Sequence, residues 1–184
     1  MNVSRTFSIF SCLWLIAAIL PSCNSDSMLL RKALIEFNKE TISIPNDMLM
    51  IWNGKYSSYR VSDELPLLIT YISPDECSDC VIGHLSGNKT IFDWSDEMGS
   101  FQYMIVFSPK PEMMEYIEER LLVSDFSFPV YLDLNSGFAR NNRIPEDSRL
   151  HSFLLDKTRT PVLAGNPLGS EKMKDLFFRK LSEM

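Results

Sequence analysis

The sequence predicts an α/β protein, a three-layer α/β/α sandwich with a mixed central sheet and an N-terminal extension. The first observation is the apolar run over 65–72, closed by Ser73-Pro74-Asp75, which is typical of a central strand buried on both faces. The second is that further apolar runs alternate with segments of helical periodicity. The third is the carboxyl-terminal order of two strands joined by a short turn and one helix.

Each element follows from its own pattern of residues. Apolar residues at helical spacing predict helices, apolar or alternating runs predict strands, and dipeptides such as Asn53-Gly54 predict turns. In chain order we predict a helix over 28–40, extended segments joined by a turn over 42–60, a strand over 65–72, a helix over 77–98 that bends near residues 87 and 88, a strand over 103–107, a helix over 111–123, a strand over 128–132, a short helix over 137–141, a hairpin of 151–156 with 160–164, and a helix over 170–183.

Residues 1–22 are predicted to be the signal peptide of a lipoprotein. Arg5 precedes an almost unbroken apolar run over 7–20, which is shorter than the roughly 20 apolar residues that a membrane-spanning helix needs. The sequence Leu-Pro-Ser-Cys at 20–23 resembles the lipobox of bacterial lipoproteins. This resemblance implies cleavage before Cys23, whose thiol then carries a diacylglycerol, so that acyl chains such as palmitate anchor the protein to a membrane.

The predicted anchor indicates where the protein acts and how its chain is organised. We expect it in the cell envelope of a Gram-negative bacterium, on the periplasmic side or at the cell surface, where a disulfide persists. Residues 23–41 are predicted to form a polar tether, Asn24 to Ser27, and an N-terminal helix. Residues 42–184 are predicted to form one domain, because about 160 residues after the leader suffice for a single core.

The charge of the chain excludes one class of partner. The net charge of −6 becomes −7 when the leader removes Arg5 from the 18 basic residues. An acidic domain lacks the basic surface that binds phosphates, so we expect no nucleic-acid partner.

Two of the four cysteines remain for chemistry. Cys12 leaves with the leader and Cys23 is consumed by lipidation, whereas Cys77 and Cys80 form a Cys-x-x-Cys pair directly after the buried strand. A thiol at the start of a helix is favoured as the thiolate, which is the nucleophile in disulfide exchange. The sequence therefore predicts a dithiol site at Cys77 and Cys80, with a purely structural disulfide as the alternative.

The order of elements, together with the position of the cysteine pair, resembles the thioredoxin fold. The added strand Phe-Pro-Val-Tyr-Leu-Asp at 128–133 and the sequence Phe-Leu-Leu-Asp-Lys at 153–157 are similar to the redoxin branch, which includes peroxiredoxins and membrane-anchored thioredoxin-like proteins. The resemblance covers residues 62–183. It implies a thioredoxin-like domain in which Cys77 attacks a client disulfide and Cys80 resolves the mixed disulfide.

Three features around the pair modify these expectations. Asp75, Glu76 and Asp79 surround the cysteines, and because carboxylates oppose a thiolate we expect a couple of low reduction potential. Leu150 stands where oxidoreductases of the family carry a cis-proline. The peroxiredoxin pattern Pro-x-x-x-Thr-x-x-Cys also fails, because residues 70 and 74 are Thr and Pro, so the sequence does not support peroxidase activity.

The two histidines suggest a metal-binding alternative. Cys77, Cys80 and His151 resemble the ligand set of copper chaperones of the Sco type, although that family separates its cysteines by three residues. His84 is a further candidate, but three ligands fall short of a structural zinc site. We interpret both histidines first as surface or half-buried polar residues.

The sequence thus predicts a membrane-anchored thiol-disulfide oxidoreductase. Its partners are expected to be thiols or disulfides of extracytoplasmic proteins and the membrane itself, and no cofactor is expected. A non-enzymatic binding module with a structural disulfide is the first alternative, and copper delivery is the second.

Overall fold

The computed structural model describes residues 24–58, 61–124 and 126–184. The predicted signal peptide with Cys12, and Cys23 as the predicted site of lipidation, lie outside these ranges. The elements are α1 (Asn24–Phe37), β1 (Leu49–Trp52), β2 (Lys55–Ser57), β3 (Leu67–Ile72), α2 (Ser78–His84), α3 (Lys89–Met98), β4 (Gln102–Phe107), α4 (Met114–Leu122), β5 (Val130–Leu132), α5 (Gly137–Asn141), β6 (Ser152–Leu155), β7 (Pro161–Ala164) and α6 (Glu171–Ser182).

The strands of the described ranges form one mixed sheet in the order β2-β1-β5-β4-β3-β6-β7. Strands β3, β4 and β5 are parallel neighbours, whereas β6 runs antiparallel to β3 and pairs with β7. The hairpin of β1 and β2 joins the other side through antiparallel pairing of β1 with β5. The run over 65–72 is therefore a central strand, as predicted.

One face of the sheet packs against four helices. Leu68 of β3 belongs to a buried cluster that also contains Ile82 of α2, Ile91 of α3, Ile117 of α4 and Phe177 of α6. Since neighbouring side chains of a strand point to opposite faces, the residues on either side of Leu68 serve the other cluster. This face is the larger part of the hydrophobic core.

The opposite face packs against α1 and α5. Ile69 of β3 lies in a second buried cluster with Phe37 of α1 and Phe138 of α5. Phe37 also contacts Phe153 of β6 edge-to-face, with ring centroids 5.0 Å apart. The sheet therefore lies between two helical layers, which confirms the predicted α/β/α sandwich.

This topology is a thioredoxin-like α/β fold. Strand β3 leads into the cysteine pair, β4 follows through a helical crossover, and β6, β7 and α6 form the terminal unit. The predicted strand and short helix after α4 are present as β5 and α5, and β5 lies parallel beside β4. The predicted order of elements from residue 65 onward is confirmed.

Some boundaries differ from those predicted. Helix α1 begins at Asn24, so the segment 24–27 is helical where we expected a tether. Asp26 lies in the first turn, where a negative charge is favourable at a helix N-terminus. It also accepts two hydrogen bonds of 3.2 Å from Arg149. This long-range contact cannot be inferred from the local sequence. The residues after Phe37 form a turn, in which the amide of Glu40 bonds to the carbonyl of Phe37 at 3.0 Å.

The helical segment after the cysteine pair bends near Gly87, as predicted. Helices α2 and α3 are separated by a short 3-10 turn, Leu85–Asn88, which contains Gly87. None of the helices in the described ranges combines the length and the apolarity that crossing a bilayer requires.

Candidate active site

The cysteine pair lies at the carboxyl end of the central strand. Strand β3 ends at Ile72, a short loop follows, and Cys77 caps the N-terminus of α2. Cys77 and Cys80 form a disulfide with Cα atoms 5.3 Å apart, and both residues are exposed. The pair is therefore accessible to a thiol or a disulfide of another molecule.

Cys77 is the sulfur that the local backbone favours as a thiolate. The amide N–H of Cys80 donates a hydrogen bond to Cys77 Sγ across 3.4 Å. A hydrogen-bond donor that points at a sulfur stabilises negative charge on it. When the disulfide is reduced, the thiolate of Cys77 is therefore more stable than the thiolate of Cys80.

Two of the carboxylates near the pair are bound by other side chains. Asp75 lies 3.6 Å from the ammonium of Lys110, and Asp79 lies 3.4 Å from Nε of Arg120. The hydroxyl of Tyr116 also donates to Asp79 across 2.7 Å, and this hydrogen bond, with some desolvation, raises the pKa of Tyr116. The carboxylates therefore oppose a thiolate less than their number suggests, which weakens the expectation of a low potential.

The third carboxylate, Glu76, lies in a partly buried network with His151. His151 Nδ1 lies 2.7 Å from Glu76 Oε1, and His151 Nε2 lies 2.8 Å from the carbonyl oxygen of Pro145. A carbonyl oxygen only accepts hydrogen bonds, so Nε2 carries a proton, and an ionised Glu76 requires a second proton on Nδ1. The contacts therefore favour an imidazolium paired with a carboxylate.

The electrostatics of this pair follow from burial and hydrogen bonding. Burial lowers the pKa of His151, but the hydrogen bonds to Glu76 and Pro145 outweigh it and raise the net pKa above 6.5. Burial raises the pKa of Glu76, but the hydrogen bonds from His151 and from the amide of Ser73 outweigh it and lower the net pKa below 4.5. Both charged forms are thus stabilised beside the cysteine pair.

The histidines differ in their placement. His84 is exposed, as expected, but His151 is only 5% exposed, so its interpretation as a surface or half-buried residue is wrong. The sequence gives no signal for its burial because the carbonyl of Pro145 and the carboxylate of Glu76 reach it only in the folded chain. Leu150 is buried as well, and His151 makes the polar contact to the active-site loop.

The copper site considered as an alternative, with Cys77, Cys80 and His151 as ligands, is not assembled. Both ring nitrogens of His151 already face hydrogen-bond partners. In addition, no group of three or more His, Cys, Asp or Glu side chains in the described ranges could hold a metal ion.

An open cavity of about 410 Å³ lies beside Cys80. It is lined by Cys80, Val81, His84, Gly87, Asn88, Asn166 and Leu168. The last two residues belong to the loop between β7 and α6, whose sequence Gly165-Asn166-Pro167 predicts a turn near the active-site face. The structure brings this loop to α2, whereas Cys77 does not line the cavity.

The solved structures that are similar to this chain include the following two. One is the solution structure of an uncharacterized thioredoxin-like protein from Porphyromonas gingivalis, with 16% identity, a TM-score of 0.43, and coverage of 78% of this chain and 93% of that chain. The other is the bacterioferritin comigratory protein of Xanthomonas campestris, solved in a study of alkyl peroxide reduction, with 14% identity, a TM-score of 0.43, and coverage of 79% and 97%. No protein-family model and no curated protein matches the sequence.

Proposed function

We propose that this protein is a membrane-anchored thiol-disulfide oxidoreductase that acts on extracytoplasmic proteins through Cys77 and Cys80. The observation that carries the proposal is the exposed disulfide at the start of α2, where the central strand of a thioredoxin-like fold ends. A bond between residues only three apart closes a small loop, for which chain entropy predicts the least stabilisation. Reversible chemistry explains such a bond better than a structural role.

In the proposed mechanism, electrons pass from the protein to a client. In the reduced pair, the thiolate of Cys77 attacks one sulfur of a client disulfide, and the other client sulfur leaves as a thiolate. Cys80, after losing its proton, then attacks Cys77 Sγ and releases the second client thiolate. The Cys77–Cys80 disulfide is thereby restored, and the client has gained two electrons.

The proposed anchor is supported by the sequence around Cys23 and by the exposed start of α1. Met28 and Leu29 are 68% and 67% exposed, although both are apolar. Apolar side chains shortly after a lipidated Cys23 are compatible with a position at the membrane surface.

Insulin reduction by the full-length protein in detergent micelles, with dithiothreitol as the electron donor, tests the proposed activity. We expect faster precipitation of insulin with the wild type than with Cys77→Ser, which removes the attacking sulfur. Equal rates for the two proteins would contradict the proposal and favour a non-enzymatic binding module.

Labelling with radioactive palmitate in a Gram-negative host tests the anchor separately. We expect label in the wild type and in the control Cys12→Ser, but not in Cys23→Ser. Label that persists in Cys23→Ser, or none in the wild type, would contradict lipidation at Cys23.

A further inference from the structure

We propose that the lipid anchor holds the Cys77–Cys80 end of the domain beside the bilayer, so that the clients are membrane-bound proteins whose disulfides lie close to the membrane surface. This inference rests on the proposed function, because it requires lipidation at Cys23 and exchange at the cysteine pair. It adds the class of client to that function.

The first argument is the short connection between the anchor and the folded domain. Helix α1 begins at Asn24, so the residue that carries the lipid is covalently joined to the first residue of a helix. This helix is held on the sheet, where Phe37 is buried and contacts Phe153 of β6 edge-to-face. The part of the domain that lies beside the first turn of α1 therefore lies beside the bilayer.

The second argument is that the first turn of α1 lies at the end of the sheet that carries the disulfide. Asp26 accepts two hydrogen bonds of 3.2 Å from Arg149, which lies just before the start of β6. Strand β6 runs antiparallel to β3, with Ser152 opposite Thr70, so β6 starts where β3 ends. We call this end of the sheet, where β3 ends and Cys77 follows, the active-site end.

The chain after α1 reaches the opposite end of the sheet. The amide of Ile42 donates a hydrogen bond of 2.9 Å to the carbonyl of Arg159, which lies in the turn between β6 and β7. The helix therefore runs along the sheet away from the active-site end. The six residues of β3 span about 20 Å, and an anchor at the active-site end brings the disulfide nearer to the bilayer than the opposite end of the sheet.

The third argument is the exposure of apolar side chains at the active-site end. Met28 and Leu29 of α1 are exposed close to the anchor. The start of α4 also lies at this end, because β4 runs parallel to β3, and Met113 and Tyr116 are 39% and 41% exposed there. Tyr116 donates its hydrogen bond to Asp79, between the two cysteines. Apolar side chains and tyrosines are favoured at the interface between water and a bilayer, so these residues suit a surface close to lipid.

The exposed side of α1 also carries positive charge. Arg31 and Lys32 are exposed, and within the described ranges neither side chain makes a hydrogen bond or an ion pair. Anionic headgroups such as that of phosphatidylglycerol attract exposed Lys and Arg side chains. A bilayer that contains anionic lipid therefore complements the charge of this helix.

An active-site end beside the bilayer selects clients by their position. A soluble protein must bring its disulfide into the space next to the membrane, whereas a membrane-bound protein already carries segments there. The exchange itself is unchanged, since the client disulfide gains two electrons and the Cys77–Cys80 pair loses them.

Quenching by brominated lipids tests the orientation of the domain. The lipidated protein is reconstituted in vesicles of phosphatidylethanolamine and phosphatidylglycerol whose acyl chains are brominated near the headgroup, and tryptophan emission is measured. Met113→Trp reports on the active-site end. Met98→Trp is the matched control, because Met98 is 47% exposed and ends α3 shortly before β4 starts, at the opposite end of the sheet.

The two variants are expected to differ. We expect the brominated lipids to quench the emission added by Met113→Trp and to leave the emission added by Met98→Trp nearly unchanged. Equal quenching of the two variants, or stronger quenching of Met98→Trp, would overturn the inference while leaving lipidation and exchange intact. A protein that does not bind the vesicles would overturn the proposed anchor as well.

The class of client is tested with one disulfide-containing peptide, presented either on a lipid headgroup in the same vesicles or free in solution. A spacer of about 20 Gly and Ser residues between Cys23 and Asn24 spans roughly 25 Å and releases the domain from the membrane surface. We expect the spacer to lower the ratio of the two reduction rates, lipid-linked over free, severalfold. An unchanged ratio would contradict a membrane-bound client, whereas reduction of neither peptide would contradict the exchange activity itself.

Discussion

His151 Nδ1 lies 2.7 Å from Glu76 Oε1, so the residue before β6 is hydrogen-bonded to the residue before Cys77. The amide of Ser73 donates to the same carboxylate oxygen across 3.0 Å. The side chain of Glu76 thereby connects the end of β3 to the residue before β6. These two hydrogen bonds hold the loop that carries Cys77 in place. Because His151 is buried, this contact is less screened by solvent than a surface ion pair.

The stability that this pair contributes depends on pH in two directions. The pKa of Glu76 is lowered below 4.5, so its contribution is complete above pH 4.5 and is lost as the pH falls through the folded-state pKa. The pKa of His151 is raised above 6.5, so its contribution is complete below pH 6.5 and is lost as the pH rises through the folded-state pKa. In a double-mutant cycle with Glu76→Gln and His151→Gln, we expect a coupling energy of roughly 1–3 kcal/mol between these limits.

Urea unfolding at several pH values measures the coupling. A coupling energy that stays constant from pH 4 to pH 9 would show that the two residues do not interact as a charged pair. His84→Gln serves as the control, because His84 is exposed and its replacement should leave stability nearly unchanged.

Arg120 is predicted to tune the redox potential through Asp79. Arg120→Ala removes the cation 3.4 Å from the carboxylate between the two cysteines, so the negative charge acts more strongly on a thiolate. The reduced state becomes less favourable, and we expect the reduction potential to fall by roughly 5–20 mV, as for a partly exposed ion pair. Equilibration with dithiothreitol measures this change. Lys39→Ala breaks the exposed pair with Glu36 on α1 and should leave the potential unchanged, whereas a rise in Arg120→Ala would refute the role of Asp79.

Gly54 is predicted to be essential for the hairpin of β1 and β2. Its φ of +65° is accessible to glycine, and a Cβ atom there would lie 2.6 Å from the carbonyl oxygen of Leu122. Gly99 has a φ of +60°, but a Cβ atom there would have no heavy atom within 4 Å. The replacement Gly99→Ala therefore measures the cost of the backbone conformation without a steric contact. We expect Gly54→Ala to lower the free energy of unfolding by about 1–3 kcal/mol more than Gly99→Ala does. Equal losses in urea unfolding would show that the contact with Leu122 relaxes at little cost.

The order of the elements could be predicted because each has a local pattern. The apolar run that became β3, the break near Gly87 between α2 and α3, and the helix over 137–141 all match the structure. The start of α1 was missed because the residues before Met28 are polar, and a polar segment does not distinguish a tether from an exposed first turn.

The candidate site could be located but not completed from the sequence. Cys77 and Cys80 are adjacent in a recognisable motif, whereas Arg120 and His151 are 40 or more residues away and reach the pair only through helix packing and strand pairing. The acidic residues of the segment are visible in the sequence, but the cations that bind them are not. The low reduction potential expected from the sequence therefore takes account of the carboxylates but not of the cations that bind them.

The reduction of the Cys77–Cys80 disulfide in glutathione buffers tests the central claim most directly. The full-length protein is equilibrated at a series of ratios of reduced to oxidised glutathione, trapped by alkylation and separated by mass. We predict a reversible transition from the oxidised to the reduced pair while circular dichroism shows a folded protein. A pair that stays oxidised at every ratio until the protein unfolds would contradict a catalytic role and identify the bond as structural.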